Sequence, residues 1–371
     1  MRETFNPFTN VYELHVEVSD SCNLQCNYCY FVAKNKRKTI FNLDKLDEIL
    51  AVFFAKTESD VVLVFHGGEP LMNSALWINK ACEIAQSHAQ ANNHKVCFHL
   101  QTNGTLLTNA HIDVLARHNF TVNVSLDGPE SVNDSARGGY KKTIGAIELL
   151  KKANLLTGII TVIGKHNYNH VHEIVELFLT YGISRYHFNV GSILNGNKNL
   201  VLSVNEILSF LIDSYVEFTR SYRNSCNWVL LGKLRRFISK EIPSLACDSP
   251  ICGAAINKIH INQYGNYFPC GSCVSTKEGI DKFLIGNIKD MFLKKEYEQK
   301  LSLFHHIYFD HREDCLNCKA KTICDFYCPA FDEFDTITIK NKCEAYKLFF
   351  KYLQVQNLKE ITDIVDYYEN K

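Results

Sequence analysis

Residues 12–29 read YELHVEVSDSCNLQCNYC, and this stretch sets the pattern that the rest of the chain follows. Apolar and polar residues alternate over 12–18, which is typical of a β-strand with one buried face. Cys22, Cys26 and Cys29 then fall on one short loop, separated by three and by two residues. Iron–sulfur clusters are normally held by four thiolates, so a loop with three leaves one iron open to an outside ligand. A zinc loop or three unrelated buried cysteines would give the same pattern.

This strand is the first of six strand and helix pairs that alternate along the first part of the chain. Such a series predicts a parallel sheet with right-handed crossovers. Six units are too few to close an eightfold barrel, so the expected fold class is α/β, with a partial (β/α)6 TIM-like barrel. The predicted strands are 12–18, 61–65, 96–101, 120–126, 158–163 and 185–190, and helices are expected near 43–54, 74–91, 108–118, 143–153, 170–181 and 204–223.

Distinctive segments follow the first four strands directly. The cysteine loop follows the first strand, and His66–Pro70, Thr102–Gly104 and Asp127–Pro129 follow the next three. In barrel enzymes the loops after the strands gather at one face and form the active site. We therefore expect these four segments to meet at one edge of the sheet.

The cysteine triplet, with Tyr28 just before its last member, resembles the signature of the radical SAM enzymes. The resemblance implies a 4Fe–4S cluster whose open iron is chelated by the amino and carboxylate groups of S-adenosylmethionine, with Tyr28 in the cofactor site. Residues 66–70 are similar to the family's GGEP loop, so Gly67, Gly68 and Glu69 are expected to hold the amino end of the methionine moiety. A Gly-Gly pair by itself is more often an ordinary turn.

The segments 101–105 and 125–129 also resemble stretches of that family. The resemblance implies that Gln101 and Ser125 contact the ribose or the methionine carboxylate, and that Asn103 belongs to the same cofactor site. Arg137 would form a charged hydrogen-bond pair with the carboxylate. The alternatives are an ordinary strand end for Ser125 and a surface salt bridge for Arg137.

The C-terminal part of the chain carries a second series of spaced residues: Cys252, Gly265, Cys270, Cys315, Cys318, Cys324, Cys328 and Cys343. This series resembles the SPASM domain, which carries two auxiliary 4Fe–4S clusters. Three clusters are therefore expected in total. The family pattern implies one auxiliary cluster on Cys247, Cys252, Cys270 and Cys328, and the other on Cys315, Cys318, Cys324 and Cys343. Cys273 competes with Cys247 for the fourth position, and a pair of zinc-ribbon sites is the alternative to both clusters. The cysteines left over, Cys82, Cys97, Cys226 and Cys273, are expected to be small buried hydrophobes.

The chain has 371 residues with 40 basic and 40 acidic side chains, so no charge excess favours nucleic acid or an anionic membrane. No signal peptide or membrane-spanning run is found, and a cytoplasmic protein that uses its 15 cysteines for metal is expected. The predicted divisions are a barrel domain over 1–223, a helical connector over 224–246, a SPASM domain over 247–350 and a helical tail over 351–371. The SPASM domain is expected to begin with a β-hairpin at 258–261 and 267–270 and to contain a helix over 289–304.

The resemblance implies an enzyme that modifies a peptide or protein and receives electrons from a small flavodoxin- or ferredoxin-type protein. The favoured function is maturation of a ribosomally made peptide by an oxidative carbon–carbon or thioether crosslink. The alternative is oxidation of cysteine or serine to formylglycine, as in anaerobic sulfatase maturases. Those enzymes carry an aspartate base directly after the cysteine that matches Cys270, and this chain has Gly271 there.

No general base is assigned from the sequence. His15, Tyr186, His187 and Asn189 lie on predicted strands and face either the interior of the barrel or its packed core. An electron carrier or scaffold with three clusters is the alternative from another class, although such a protein has no need of a GGEP loop.

Overall fold

The computed structural model describes residues 8–29, 41–191, 200–240, 252–274, 277–290, 317–324 and 336–370, together with residues 299, 315 and 330. The described residues form one ten-stranded sheet in the order β10-β9-β8-β1-β2-β3-β4-β5-β6-β7. The strands are β1 Glu13–Ser19, β2 Val61–Gly67, β3 Val96–Thr102, β4 Thr121–Ser125, β5 Leu156–Ile163, β6 Arg185–Val190, β7 Cys226–Asn227, β8 Lys258–Ile261, β9 Asn266–Phe268 and β10 Gly286–Asn287.

Helices follow most of the parallel strands, and further helices lie near the C-terminus. They are α1 Leu43–Phe54, α2 Ala75–Ala91, α3 Asn109–Arg117, α4 Glu130–Ala136, α5 Tyr140–Lys152, α6 Val171–Thr180, α7 Val204–Ser221, α8 Trp228–Ser239, α9 Lys277–Phe283, α10 Thr336–Gln354 and α11 Leu358–Glu369. Several begin where the sequence supplies a capping side chain, since Asn42 caps α1 and Ser203 with Glu206 forms a capping box on α7.

The alternation in β1 decides which face each residue takes. Leu14, Val16 and Val18 are fully buried on the helix side, whereas Glu13, His15 and Glu17 are half-buried on the opposite, inner face. The strands β1 to β7 pair in parallel in sequence order, which confirms the predicted α/β partial barrel. The six predicted strands are all present.

The sheet extends further than predicted at both edges. Residues 224–246 were expected to form a helical connector, but Cys226 and Asn227 add a short parallel strand to β6 before α8 begins. At the other edge, the predicted hairpin β8–β9 joins the barrel sheet, because β8 pairs in parallel with β1. Pairing between residues so far apart in sequence leaves no local pattern from which it could be predicted.

The C-terminal tail consists of two helices that pack back on the barrel, α10 against α7 and α11 against α8. The predicted boundary at residue 350 lies inside α10. The predicted helix over 289–304 lies almost entirely outside the described residues. Among the described helices, none combines the length and the apolar character that a bilayer crossing requires.

Candidate active site

The cysteine loop lies at the carboxyl end of β1, as the sequence predicts. Cys22, Cys26 and Cys29 are all half-buried. The Cys22 sulfur faces the backbone N–H of Leu24 at 3.4 Å and the Asn103 amide nitrogen at 3.8 Å. Burial raises the pKa of the thiols of Cys22 and Cys26 in the protein alone. Three thiols on one loop suit an iron–sulfur cluster, because bound iron favours the thiolate form. The N–H donors at one sulfur suit it as well, because hydrogen bonds to sulfur help to set the reduction potential of a cluster.

Gly67 and Gly68 are required by the packing of the GGEP loop against the cysteine loop. A Cβ on Gly67 would lie 2.3 Å from the backbone oxygen of Ser19, and one on Gly68 would lie 2.2 Å from that of Ser21. The N–H groups of Gly68 and Glu69 donate to the same two carbonyl oxygens at 2.7 and 2.8 Å. The glycines therefore fix the two loops edge to edge in the protein itself.

Glu69 is buried, and protein groups engage both of its carboxylate oxygens. Oε1 accepts from the Leu71 N–H at 2.9 Å and from the Thr102 hydroxyl at 2.6 Å, and Oε2 accepts from the Asn103 N–H at 2.8 Å. Burial raises the pKa of Glu69, and these hydrogen bonds oppose the rise. Glu69 thus ties the loops after β2 and β3 together.

Asp127 is the centre of a second buried group of charges that the sequence analysis did not assign. Its carboxylate pairs with Arg137 Nε at 3.2 Å, accepts from the Val162 N–H at 3.0 Å and from the Tyr28 hydroxyl, and lies 3.5 Å from His166 Nε2. Burial opposes ionisation, but the charge of Arg137 and the donors from His166 and Tyr28 outweigh it and lower the pKa of Asp127 to about 2.

Arg137 and His166 also enclose the ring of Tyr28. The guanidinium lies over this ring at 5.6 Å, and the His166 ring stacks on it with centroids 5.4 Å apart. Burial raises the pKa of the Tyr28 hydroxyl well above its usual range. Arg137 is therefore a buried, internally paired side chain, and the surface salt bridge considered from the sequence is wrong. We refer to Tyr28, Glu69, Asn103, Asp127 and Arg137 as the strand-end cluster.

Gln101 and Ser125 meet on the inner face, Gln101 one residue before the end of β3 and Ser125 at the end of β4. The Gln101 side-chain nitrogen donates to the Ser125 hydroxyl oxygen at 3.0 Å. The structure therefore brings the predicted contact residues of the first domain to one edge of the sheet. Asp127 could have been found as an acidic residue directly after a strand, whereas His166 gives no signal in the sequence.

The inner face below this edge is rich in histidine. His15, His66, His99 and His260 lie on β1, β2, β3 and β8, and we refer to them as the inner-face histidines. The rings of His15 and His66 are 5.8 Å apart. Burial, together with the neighbouring histidines, lowers the pKa of His66 to about 3 and that of His99 to about 4. Tyr186, named from the sequence, is instead fully buried on the helix side.

The second cysteine series is described in part. Cys252, Cys270 and Cys273 belong to a small second core with Ala254, Phe268, Phe283 and Ala330. The sulfurs of Cys270 and Cys273 are 3.8 Å apart, and this contact lowers the pKa of Cys270 to about 5. Cys315, Cys318, Cys324 and Cys343 are half-buried. Cys247 and Cys328 lie outside the described residues.

The cysteines without a cluster assignment differ in exposure. Cys82 and Cys226 are buried, as expected, and Cys273 is also buried. The expectation is wrong for Cys97, which is exposed, because its side chain lies on the inner face of β3. Within the described ranges, no three His, Cys, Asp or Glu side chains converge closely enough for a single metal ion.

Known proteins resemble this chain in two ways, through a family model that covers its first part and through relatives that cover nearly all of it. Residues 16–178 match the family model of the radical SAM superfamily. The cysteine-type anaerobic sulfatase-maturating enzyme of Clostridium perfringens is 26% identical over 90% of this chain and 94% of its own length. The corresponding enzyme of Clostridium novyi is 23% identical over 93% of this chain and 94% of that protein.

Two solved structures share the fold. Native anSMEcpe with bound AdoMet superposes with a TM-score of 0.82 at 23% identity, covering 96% of this chain and 100% of that one. Streptococcus suis SuiB bound to precursor peptide SuiA gives a TM-score of 0.60 at 17% identity, covering 85% and 71%. The matched part of the chain, residues 16–178, is a radical SAM domain. The protein is thus an enzyme with a radical SAM domain, and this domain implies S-adenosylmethionine and a 4Fe–4S cluster as cofactors.

Proposed function

We propose that this protein is a maturase that oxidises a cysteine or serine side chain of a protein substrate to formylglycine. The observation that carries the proposal is the similarity to cysteine-type anaerobic sulfatase-maturating enzymes along 90% of the chain, cysteine-rich C-terminal region included. This replaces the crosslinking reaction favoured from the sequence, because the full-length relatives named above are sulfatase-maturating enzymes.

Cys22, Cys26 and Cys29 are proposed to hold the S-adenosylmethionine-binding cluster. When bound, this cofactor pair supplies a 5′-deoxyadenosyl radical that removes a hydrogen atom from the substrate carbon. The loop carries three half-buried cysteines with N–H donors at one sulfur, which suits this assignment. Two auxiliary clusters on the second series remain part of the proposal, with Cys247 or Cys273 as the fourth ligand of the first.

The cofactor contacts are proposed to come from the predicted set: Tyr28, Gly67, Gly68, Glu69, Gln101, Asn103, Ser125 and Arg137. The hydrogen bonds of Glu69 and Asp127 hold this edge of the sheet in one arrangement before any ligand binds. Nε and Nη2 of Arg137 donate to the carboxylate of Asp127. The remaining nitrogen, Nη1, is therefore the one proposed to donate to the methionine carboxylate. The protein's contribution is thus orientation and exclusion of water.

An oxidative crosslink within a peptide is the second candidate, and Gly271 is the observation that favours it. The resemblance to anaerobic sulfatase maturases implies an aspartate base at this position, and glycine cannot accept a proton. SuiB, which shares the fold, has been solved with a precursor peptide. A small electron donor protein is proposed for either reaction.

The two functions are separated by the product. Anaerobically reconstituted protein would be incubated with S-adenosylmethionine, dithionite and a synthetic peptide that spans the modified cysteine of a sulfatase. The maturase proposal predicts a peptide aldehyde that a hydrazine reagent traps, and a peptide with alanine in place of that cysteine would give none. A precursor peptide that loses two hydrogens without forming an aldehyde would favour the crosslink instead.

A further inference from the structure

We propose that His260, held in place by Glu17, is the proton acceptor of the oxidation, in place of a carboxylate at position 271. This inference rests on the proposed function. His260 lies on β8 and Glu17 on β1, two strands that pair only because the C-terminal hairpin joins the barrel sheet.

The first observation is a buried imidazole nitrogen that has nothing to bond to. The His260 side chain is 1% exposed, and its Nδ1 has no hydrogen-bond partner among the described residues. A buried polar atom left in this state costs about 1–3 kcal/mol, so it is unfavourable unless another molecule supplies the partner. Such atoms are few in native proteins, and a bound water or ion, strain or a catalytic role accounts for them.

The second observation is the contact that orients the ring. His260 Nε2 lies 3.2 Å from Glu17 Oε2, whose side chain is 12% exposed. A carboxylate accepts, so the proton of a neutral imidazole lies on Nε2 and the lone pair lies on Nδ1. A base whose other nitrogen is fixed by a carboxylate is the arrangement used to activate hydroxyl and thiol groups.

The third observation concerns the space in front of Nδ1. A Cβ on Gly271 would lie 3.3 Å from His260 Nδ1 and 3.8 Å from Cε1, and within the described ranges it would meet nothing else inside 4 Å. The absent side chain of residue 271 thus leaves room directly beside the free nitrogen. His260 faces the same side of the sheet as His15, its register partner on β1, so the ring and the room beside it lie on the inner face.

The chemistry of the proposed oxidation requires such an acceptor. In the net reaction a cysteine side chain loses one hydrogen atom from carbon, one electron and the S–H proton, and becomes a thioaldehyde. S-adenosylmethionine is the net oxidant: it takes up the hydrogen atom and the electron and is split into methionine and 5′-deoxyadenosine. The S–H proton of the cysteine is then the one that needs an acceptor. The S–H bond breaks, the N–H bond on His260 Nδ1 forms, and water then converts the thioaldehyde to the aldehyde with release of hydrogen sulfide.

The test compares product with radical formation in the reconstituted holoenzyme, using the sulfatase-derived cysteine peptide. His260→Gln keeps a polar side chain of similar reach but cannot take up the proton. We expect about 10²-fold less aldehyde per 5′-deoxyadenosine than in the unmodified enzyme, the range of a lost general base. His172→Gln is the matched control, because His172 has a carboxylate partner, Glu217, at 2.9 Å on the outside of the barrel. It should leave the ratio unchanged.

A rescue variant separates a chemical role from a structural one. His260→Ala with Gly271→Asp removes the ring and places a carboxylate on the opposite side of the same space. The amount of aldehyde per 5′-deoxyadenosine should fall in His260→Ala alone and rise again, most of the way, in the double variant. A normal ratio in His260→Gln, or an equal fall of aldehyde and 5′-deoxyadenosine, would overturn the proposal, as would a folded double variant without rescue.

A measurement on the reconstituted holoenzyme without substrate keeps the inference independent of the proposed function. In ¹⁵N-histidine NMR spectra, His260 should show a protonated Nε2 and an unprotonated Nδ1, assigned by loss of the signals in His260→Gln. Glu17→Ala, which removes the positioning carboxylate, should shift this tautomer balance. A proton on Nδ1 would overturn the proposal even if aldehyde is formed, whereas a wild-type enzyme that forms no aldehyde would overturn the proposed function.

Discussion

The strand-end cluster and the inner-face histidines lie on the same strands but differ in how their polar groups are paired. Glu69 and Asp127 each bind several protein donors through both carboxylate oxygens. His260, lower in the barrel, leaves one buried nitrogen without a partner in the described part of the chain. The difference indicates that the strand ends are built to hold a fixed geometry, whereas the inner face keeps bonding capacity for a substrate.

The largest expected effect comes from removing one of the three cysteines proposed to hold the iron–sulfur cluster. Cys26→Ala should reduce 5′-deoxyadenosine formation by more than about 10³-fold, because a cluster held by too few thiolates is lost or inactive. Cys82→Ala, at a buried cysteine of α2 outside the proposed ligand sets, is the control and should retain activity. Iron content and turnover are measured together, and a Cys26→Ala protein with full iron and activity would show that the loop is not the cluster site.

The next effect tests whether the strand-end cluster is a rigid charged unit. Asp127→Asn leaves the buried Arg137 charge without its carboxylate, which should lower the free energy of unfolding by about 3 kcal/mol or more. Glu130→Gln removes the partner of Lys141 in an exposed pair and should change it by less than about 1 kcal/mol. Urea unfolding measures both, and equal effects would mean that the Asp127 pair has no special role.

A smaller effect tests the contact between the two loops. Gly68→Ala places a Cβ 2.2 Å from the Ser21 oxygen and should destabilise the protein by about 1–3 kcal/mol. Gly145→Ala, in α5 with nothing within 4 Å of the new Cβ among the described residues, should stabilise it by about 0.5–1 kcal/mol. If Gly68→Ala were as stable as the wild type, the loops would not be locked together as described.

The last prediction tests the inner face through the pH dependence of stability, an effect that is smallest near neutral pH and grows as the pH falls. The pKa of His66 is lowered to about 3 in the folded protein, so the unfolded state binds more protons between there and the usual value near 6.5. The free energy of unfolding should therefore fall as the pH falls through this window, by up to about 1.4 kcal/mol per pH unit from this residue. His66→Gln should reduce the slope in urea titrations at several pH values, and an unchanged slope would contradict the lowered pKa.

The sequence predicts most of the barrel because each of β1 to β6 carries its own apolar periodicity. It does not predict the short β7 or the pairing of β8 with β1, since both depend on contacts between residues remote in the chain. The site follows the same rule. Cys22, Gly67 and Gly68 can be predicted from the spacing of their motifs. The Asp127–Arg137 and Glu17–His260 contacts cannot, because the sequence does not distinguish a protein partner for these side chains from a ligand or solvent.

Transfer of hydrogen from substrate to cofactor tests the central claim most directly. A sulfatase-derived peptide with deuterium on the β-carbon of its cysteine would be incubated with reconstituted enzyme, S-adenosylmethionine and dithionite, and the 5′-deoxyadenosine analysed by mass spectrometry. The account predicts that the 5′-deoxyadenosine carries deuterium and that the peptide becomes an aldehyde. Unlabelled 5′-deoxyadenosine, or none, beside an unchanged peptide would contradict it.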